Sequence, residues 1–436
     1  VRPVVLEFVR EPRLGHVKRR LAATEGEHEA LRIYRLLAED VHRALREAQS
    51  RGTLDVILCV TDGPEGGPAT RTVAAWLPEA RAVWAQGEGD LGVRLERAIA
   101  RAFAAGAPAV AAVGTDVVGL TPERLAEAFA ALAQADVVLA PTPDGGYGLL
   151  ALKRPAPVLF GDIPWSTPEV AARTRAAARA AGLTLVELAG LSDVDTAADL
   201  EGVLPTLSVL VPVLDEMPRL PERLGFLARA ARQHPGEVEI IVADGGSQDG
   251  SLEAARALGL HVLATRRGRG TQLRGAAEAA RGRWLWTVHA DAEVAPGTLE
   301  RVLLHARRGT HPWAFTRTRI DAPGPFYGLL ATLTEIRARW LKLPYGDQGV
   351  LVKRSLYEHV GGYADVPLFE DVLLARRLAR HASPACLGGD LTLDGRRWRR
   401  RGLARTSLGN LGLLARFLLL GRQSEDLVGG YDRLLG

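Results

Sequence analysis

The chain is poor in cysteine, lysine and methionine, and it has no long uninterrupted apolar run. Its two cysteines, Cys59 and Cys386, stand far apart with no CxxC pair, which excludes a disulfide framework and a cysteine zinc site and fits a reducing cytoplasm. Lysine occurs at positions 18, 153, 342 and 353 and nowhere else, so arginine carries the positive charge. The net charge of +4, from 55 basic and 51 acidic residues, is too small for an electrostatic nucleic-acid surface, and no nucleic-acid partner is expected. No N-terminal stretch joins a charged start to an apolar centre and a cleavage site, so no secretory leader is expected. The most apolar stretch, LGNLGLLARFLLLG at 408–421, is broken by Asn410 and Arg416 and is too short to span a bilayer. With Arg400, Arg401, Arg405 and Arg422 around it, it suits either a helix docked on its own domain or an interfacial helix in peripheral contact with the inner face of an anionic membrane.

What is present is a globular composition, 47% hydrophobic and 24% charged, in a chain long enough for two domains. Strand-like runs (VVLEFV, DVILCV, AVAAVG, DVVLAP) alternate with helical stretches, among them TPERLAEAFAALAQA with Thr121 as cap and Pro122 in the first turn. The pattern restarts near residue 206 with TLSVLVPVLDE, VEIIVADGG, HVLAT and RWLWTVHADAEV. This predicts an α/β protein of two tandem Rossmann-like domains with mostly parallel sheets, 1–202 and 203–436, the second ending in a helical segment.

In VEIIVADGGSQDGS (238–251) an apolar strand runs into Asp244 and a glycine turn, and strand carboxyl ends are where open α/β sheets bind ligands. Asp244 either caps that turn or reads a ligand. Asp215 and Glu216 follow the preceding strand and suit hydrogen bonds to a base and ribose. Asp291, in HAD, offers a hard oxygen to Mg²⁺ or Mn²⁺ or else caps a helix, and His289 either assists the metal or packs. Glu370 and Asp371 open a helical stretch, where they either meet the helix dipole or act chemically, Asp371 as general base and Glu370 as its partner or an acceptor-binding group. The basic run GRRWRRRG (395–402) offers arginine to a diphosphate and Trp398 to a sugar.

Taken in order, SVLVPVLDE, VADGGSQDGS, RGRGTQLRGAAEAARG, HADAEV, PYGDQGVLVKR, GGYADVPLFEDV and RRWRRRG resemble a family 2 glycosyltransferase of the GT-A fold, of the subgroup labelled arsenosugar-biosynthesis type. The resemblance implies an inverting, metal-dependent hexosyl transfer from a nucleoside-diphosphate sugar, a UDP-sugar first among the candidates, to a small-molecule or lipid acceptor. It places nucleotide and donor contacts at Pro212, Asp215, Glu216, Asp244, Gly245, Ser247, Asp249, Arg269, Gln272, Asp347, Gln348, Arg397 and Trp398. It places the metal at Asp291 with His289, and the base at Asp371. Two positions depart from the family pattern: Asp215 stands where asparagine is usual, and Ala292 where a hydroxyl residue follows the HAD aspartate.

In the first half, FVREPRLGHVKRRLA (8–22) sets Gly15, Lys18 and Arg20 in a basic loop able to wrap phosphates, without Walker spacing. Asp116, Asp144, Asp193 and Asp195 either share one cation or cap helices and turns. In order, these motifs resemble the other arsenosugar-type glycosyltransferase-like family, akin to sugar-nucleotide nucleotidyltransferases. That resemblance implies a nucleotide-binding role for Gly15, Lys18, Arg20 and Asp144, and metal ligation by Asp116, Asp193 and Asp195. Here Arg10, Arg19 and the Val118-Gly119 pair replace lysine, threonine and Pro-Asp. The alternatives are a relay, in which the first domain makes the nucleotide sugar that the second transfers, and a non-catalytic nucleotide-binding or membrane-associated scaffold.

Overall fold

The computed structural model of the protein describes residues 1–322, 325–366 and 369–394. The chain divides into two compact units, Val1–Leu200 and Glu201–Gly436.

In the first unit the strands are β1 (Val4–Val9), β2 (Asp55–Val60), β3 (Ala82–Ala85), β4 (Val110–Gly114), β5 (Val117–Val118), β6 (Val137–Pro141), β7 (Tyr147–Leu152), β8 (Leu185–Glu187) and β9 (Ser192–Asp193). Seven of them form a sheet in the order β3-β2-β1-β4-β7-β6-β8, and β5 pairs with β9 apart from it. β7 runs antiparallel to both its neighbours, and every other pairing in the sheet is parallel. Near-continuous Val, Ile and Leu runs are what a sheet covered on both faces requires. One face buries Leu6, Ile57 and Leu150 against the helix Leu91–Ala104, and the other buries Val5, Val56 and Ala151 against the helix Glu27–Ser50. Thr121 caps the helix Pro122–Ala131 as its sequence predicts, its hydroxyl accepting from the Arg124 amide at 3.3 Å.

The second unit contains β10 (Leu207–Val213), β11 (Val238–Asp244), β12 (His261–Ala264), β13 (Trp284–Thr287), β14 (Ala292–Val294), β15 (Trp313–Asp321), β16 (Val350–Lys353) and β17 (Ala385–Asp394). Their order is β12-β11-β10-β13-β16-β15-β17-β14, with β16 antiparallel to both neighbours. Each unit therefore repeats one plan: four parallel strands in the order third, second, first, fourth, then an antiparallel strand. All seven residues of β10 are buried, as befits the centre of the sheet.

Two local expectations change. RWLWTVHADAEV is two strands, because the chain breaks after Thr287, turns through His289–Asp291 and resumes as β14 on β17. Arg20 is helical, since Lys18 takes a left-handed conformation (φ 45°) that ends the basic loop and starts the helix Arg19–Glu25.

Candidate functional site

In the second unit the first two strand-end loops are laced to each other. Asp215 Oδ1 accepts from the Gln248 amide at 2.8 Å, Ser247 Oγ accepts from the Asp215 amide at 3.0 Å, and Asp249 Oδ2 accepts from the Met217 amide at 2.8 Å. Asp244 is buried and spends its oxygens on its own turn, accepting from the Gly246 and Ser247 amides and from the Ser247 hydroxyl. Gln272, also buried, donates both amide hydrogens to strand-end carbonyls, Val213 at 2.7 Å and Ala243 at 2.9 Å, and a Cβ added to Gly245 would lie 3.1 Å from its amide group. Pro212 is buried within β10 beside Ala243. Asp244, Gln272 and Pro212 are thus buried at the strand ends, the polar side chains of the first two engaged within the protein.

The third and fourth loops bring the chemistry together. His289 and exposed Asp291 follow β13, Asp347 and Gln348 lie in the short 3-10 turn Gly346–Gln348, and Glu370 and Asp371 open the helix Glu370–Leu378. Asp371 is held by the backbone, Oδ2 accepting from the Gly346 amide at 2.6 Å and Oδ1 from the Val372 amide at 2.7 Å. Gly346 sits tightly against it: a Cβ there would lie 2.5 Å from His289 Nε2 and 3.3 Å from Asp371 Oδ2. Burial pushes Asp347 up to about 6, opposed by Arg337 and reinforced by Asp371 and Asp291. Burial and nearby Arg269 pull His289 down to about 4, so its ring is neutral at physiological pH. Burial and the charge of Asp291 push Glu216 up to about 7. Glu370 is fully buried with Oε1 ion-paired to Arg269, and its pKa is raised because desolvation outweighs that guanidinium.

Three shielded atoms in this cluster, His289 Nε2, Asp347 Oδ1 and Glu370 Oε2, have no hydrogen-bond partner. Buried polar atoms without partners are rare and mark places built for something else. Carboxylate oxygens and a neutral imidazole nitrogen are the kinds of atom that can ligate a divalent cation. Among the described residues no three His, Cys, Asp or Glu groups already close around such an ion.

Sequence reasoning missed Arg337. Its Nη2 donates to Gln348 Oε1 at 2.8 Å, its Nε donates to the Leu343 carbonyl at 3.1 Å, and its guanidinium lies 3.4 Å from the Tyr345 ring centre. No sequence signal set it apart, since Glu335, Arg339 and Lys342 stand beside it in the stretch before PYGDQG. Gln348 is fully buried and orders the loop through Arg337, the Tyr345 amide and the Thr334 carbonyl. Arg397, Trp398 and the stretch 408–421 lie outside the described residues.

In the first unit, β5 pairing with β9 sets Val117 opposite Asp193, which brings Asp116 and Asp193 to one edge. Lys18 Nζ bridges Asp116 at 2.7 Å and Asp195 at 3.0 Å with its side chain 6% exposed, and Arg20 reaches Asp195 at 3.4 Å. Burial and the charges of Asp144, Asp116 and Asp195 push Asp193 up to about 6, with Lys18 opposing. Asp144 caps its own turn, accepting from Thr142 Oγ1 and the Gly146 amide. Gly15, at φ 74°, faces Glu27. The place a shared cation would take between Asp116 and Asp195 is filled by the Lys18 ammonium, so in this arrangement the cluster does not fit a metal ion.

Comparison with known proteins follows the same division. Residues 208–363 match the model of glycosyl transferase family 2, and residues 44–167 match that of an uncharacterized protein conserved in bacteria, DUF2064. Among solved structures, a protein from Desulfovibrio desulfuricans G20 assigned as a nucleotide-diphospho-sugar transferase is 30% identical, over 47% of this chain and 87% of that one, with a TM-score of 0.43. A Pyrobaculum calidifontis mannosyltransferase solved with GDP-Man and Mn²⁺ is 20% identical over 53% of this chain and 70% of its own, with a TM-score of 0.36. Glucosyl-3-phosphoglycerate synthase from Mycobacterium tuberculosis, solved with Mn²⁺, UDP and glucosyl-3-phosphoglycerate, is 21% identical over 48% and 78%, with a TM-score of 0.34. No curated protein matches the chain. The chain thus joins a region matching DUF2064 to one matching glycosyl transferase family 2, each within an α/β unit of mostly parallel strands.

Proposed function

We propose that the second unit transfers a sugar with inversion from a nucleoside-diphosphate sugar to an acceptor hydroxyl, with Asp371 as the base. The observation that carries this reading is the cluster of Asp291, His289, Asp347 and Asp371 beside the strand ends, with donor atoms left over. Inversion needs the acceptor oxygen to attack the anomeric carbon as the bond to the diphosphate oxygen breaks, while a carboxylate on the acceptor side takes the hydroxyl proton. Two backbone amides fix the Asp371 carboxylate, which leaves a lone pair for that proton. Asp215 and Glu216 line the nucleoside end, with Asp244, Gly245, Ser247 and Asp249 holding their loop in shape. Asp291, with His289 and Asp347 beside it, would hold Mg²⁺ or Mn²⁺, which when bound neutralises charge on the diphosphate.

For the first unit we propose phosphate binding. Lys18 and Arg20 meet the phosphates of a nucleotide or nucleotide sugar, and Lys18 gives up Asp116 or Asp195 to do so. Pyrophosphate release from a nucleoside triphosphate and a sugar phosphate would show that this unit makes the donor.

The test is Asp371→Asn in the whole chain, with a screen of UDP-, GDP-, CDP- and TDP-sugars with Mn²⁺ or Mg²⁺ to find the donor. The expected result is loss of transfer by at least a hundredfold with donor binding unchanged, because proton transfer contributes on that order. Retained turnover of a true donor and acceptor would remove Asp371 from the role of base.

A further inference from the structure

In the first unit a lysine lies among carboxylates. Val117 opposite Asp193 sets Asp116 at the edge of the β5 and β9 pair, and Gly114 leaves it room, since a Cβ there would lie 2.8 Å from Asp116 Oδ1. Asp116 Oδ2 and Asp195 Oδ1 accept from the same nitrogen, Lys18 Nζ, at 2.7 and 3.0 Å. Asp195 Oδ2 accepts from Arg20 at 3.4 Å, and Asp199 fixes the loop by accepting from the Asp195 amide at 3.0 Å and the Thr196 amide at 2.7 Å. Asp195 thus spends both oxygens on cations of the chain itself.

The fold sets the lysine in place. Val17 before it and Leu21 a turn after it are buried. Its carbonyl accepts from the Ala22 amide at 2.8 Å, and its left-handed backbone turns the basic loop into the helix Arg19–Glu25. With the side chain 6% exposed, the ammonium has little water to fall back on. A divalent ion that took the two carboxylate oxygens would leave that charge buried without a partner and would sit beside it with like charge, both of which are costly. An incoming phosphate is different, because the oxygen it offers Nζ replaces the carboxylate oxygen it displaces and keeps the ammonium paired. The cluster is therefore built to exchange anions around a fixed cation, and not to exchange the cation.

We propose that Lys18 is the resident cation of this site, in the position a divalent metal ion would otherwise take, and that phosphate meets Lys18 and Arg20 with no metal between. The second clause rests on the phosphate-binding reading of the first unit, and the first clause stands without it. On the reading given for the second unit, the two units then differ in the cation they use, and chelation touches the second alone.

Water-proton relaxation by Mn²⁺ on the full chain tests this, comparing the parent with Asp116→Asn, Lys18→Asn and Lys18→Asn/Asp116→Asn. Asparagine suits a left-handed position, and it is uncharged and too short to fill the ammonium's place. The parent and Asp116→Asn are expected to bind Mn²⁺ to the same extent, whatever the second unit contributes. Lys18→Asn is expected to bind an additional ion per chain, and adding Asp116→Asn to remove it. A parent that loses an ion on Asp116→Asn would overturn the proposal. So would a Lys18→Asn protein that keeps the hydrogen-exchange protection of β1 and β4 yet gains no ion; where that protection is lost, the parent and Asp116→Asn decide alone. Titration calorimetry with inorganic pyrophosphate in EDTA reads the phosphate clause separately, with affinity expected to fall about tenfold or more in Lys18→Asn. Pyrophosphate binding that ignores Lys18 would remove that clause and the reading beneath it, leaving the resident cation to the Mn²⁺ result. Pyrophosphate binding that needs Mg²⁺ and is lost in Asp116→Asn would sink both.

Discussion

Arg269 and Glu370 give a quantitative test of how the site is held. Glu370 is fully buried, its Oε2 has no partner, and its Oε1 is paired with Arg269, whose side chain is 32% exposed. Replacing Arg269 by methionine leaves a buried carboxylate without its cation. Removing one member of a buried pair costs about 3–5 kcal/mol, and the exposure of Arg269 argues for the lower end, about 3 kcal/mol. The sign of the pH dependence follows from the raised pKa of Glu370, which burial causes in spite of Arg269. The folded state holds the proton more tightly than the unfolded chain, so stability is full below the ordinary carboxylate pKa of 4.5 and declines as pH rises through the folded value. Without Arg269 that value rises further, so the cost of Arg269→Met should be larger at pH 8 than at pH 5. Arg269→Met/Glu370→Gln should recover most of the loss, because the uncompensated charge is gone from both states. Native-state hydrogen exchange of β10 and β11 reads the second unit without assuming that the two units unfold together. An equal cost at pH 5 and pH 8, or a double variant no better than the single, would show that Arg269 acts through packing and that Glu370 is neutral in the folded protein.

Two further outcomes are expected. In the first unit Glu7 lies buried with His42, Oε2 to Nδ1 at 2.7 Å, while His42 Nε2 meets the Pro78 carbonyl at 2.8 Å. Burial raises Glu7 against the pull of His42, and although burial lowers His42, its bond to Glu7 holds it above 6.5. Both groups bind protons more tightly when folded, so protection of β1 amides should fall as pH rises beyond the ordinary range of the two groups. The same measurement on Glu7→Gln should give a flatter profile, and an unchanged slope would refute the coupling. Gly346→Ala should disturb the site without unfolding it, since its Cβ would press on His289 and Asp371. Transfer should drop about tenfold or more for a displacement near 1 Å while the melting temperature moves by a few degrees, and undiminished turnover would count against the Gly346–Asp371 contact as the anchor of the base.

The strands of both units were legible because apolar runs and turn residues act within a few positions of one another, as in LSVLVPV and in Thr121 before Pro122. The breaking of RWLWTVHADAEV was not legible, because it is decided by the pairing of Ala292–Val294 with β17, about a hundred residues away. The convergence of carboxylates was readable from strand ends and topology. What each carboxylate is free to do was not, because that depends on how many of its lone pairs the fold has already used. Asp244 looks like a ligand in VADGGS, yet it is buried and the glycine turn that follows it supplies the amides and hydroxyl that occupy it. Lys18 stood out through rarity, but its use as the cation between Asp116 and Asp195 joins residues 98 and 177 positions apart. Conversely, nothing in GDQG marks Asp347 above Gln348, yet Gln348 is saturated by Arg337 and the Tyr345 amide while Asp347 keeps a shielded oxygen with no partner. A strand-end aspartate in such a fold belongs to its turn first, and its weight as a ligand is set by the acceptor capacity left over. By that measure His289, Asp347 and Glu370 rank above Asp244 and Asp249.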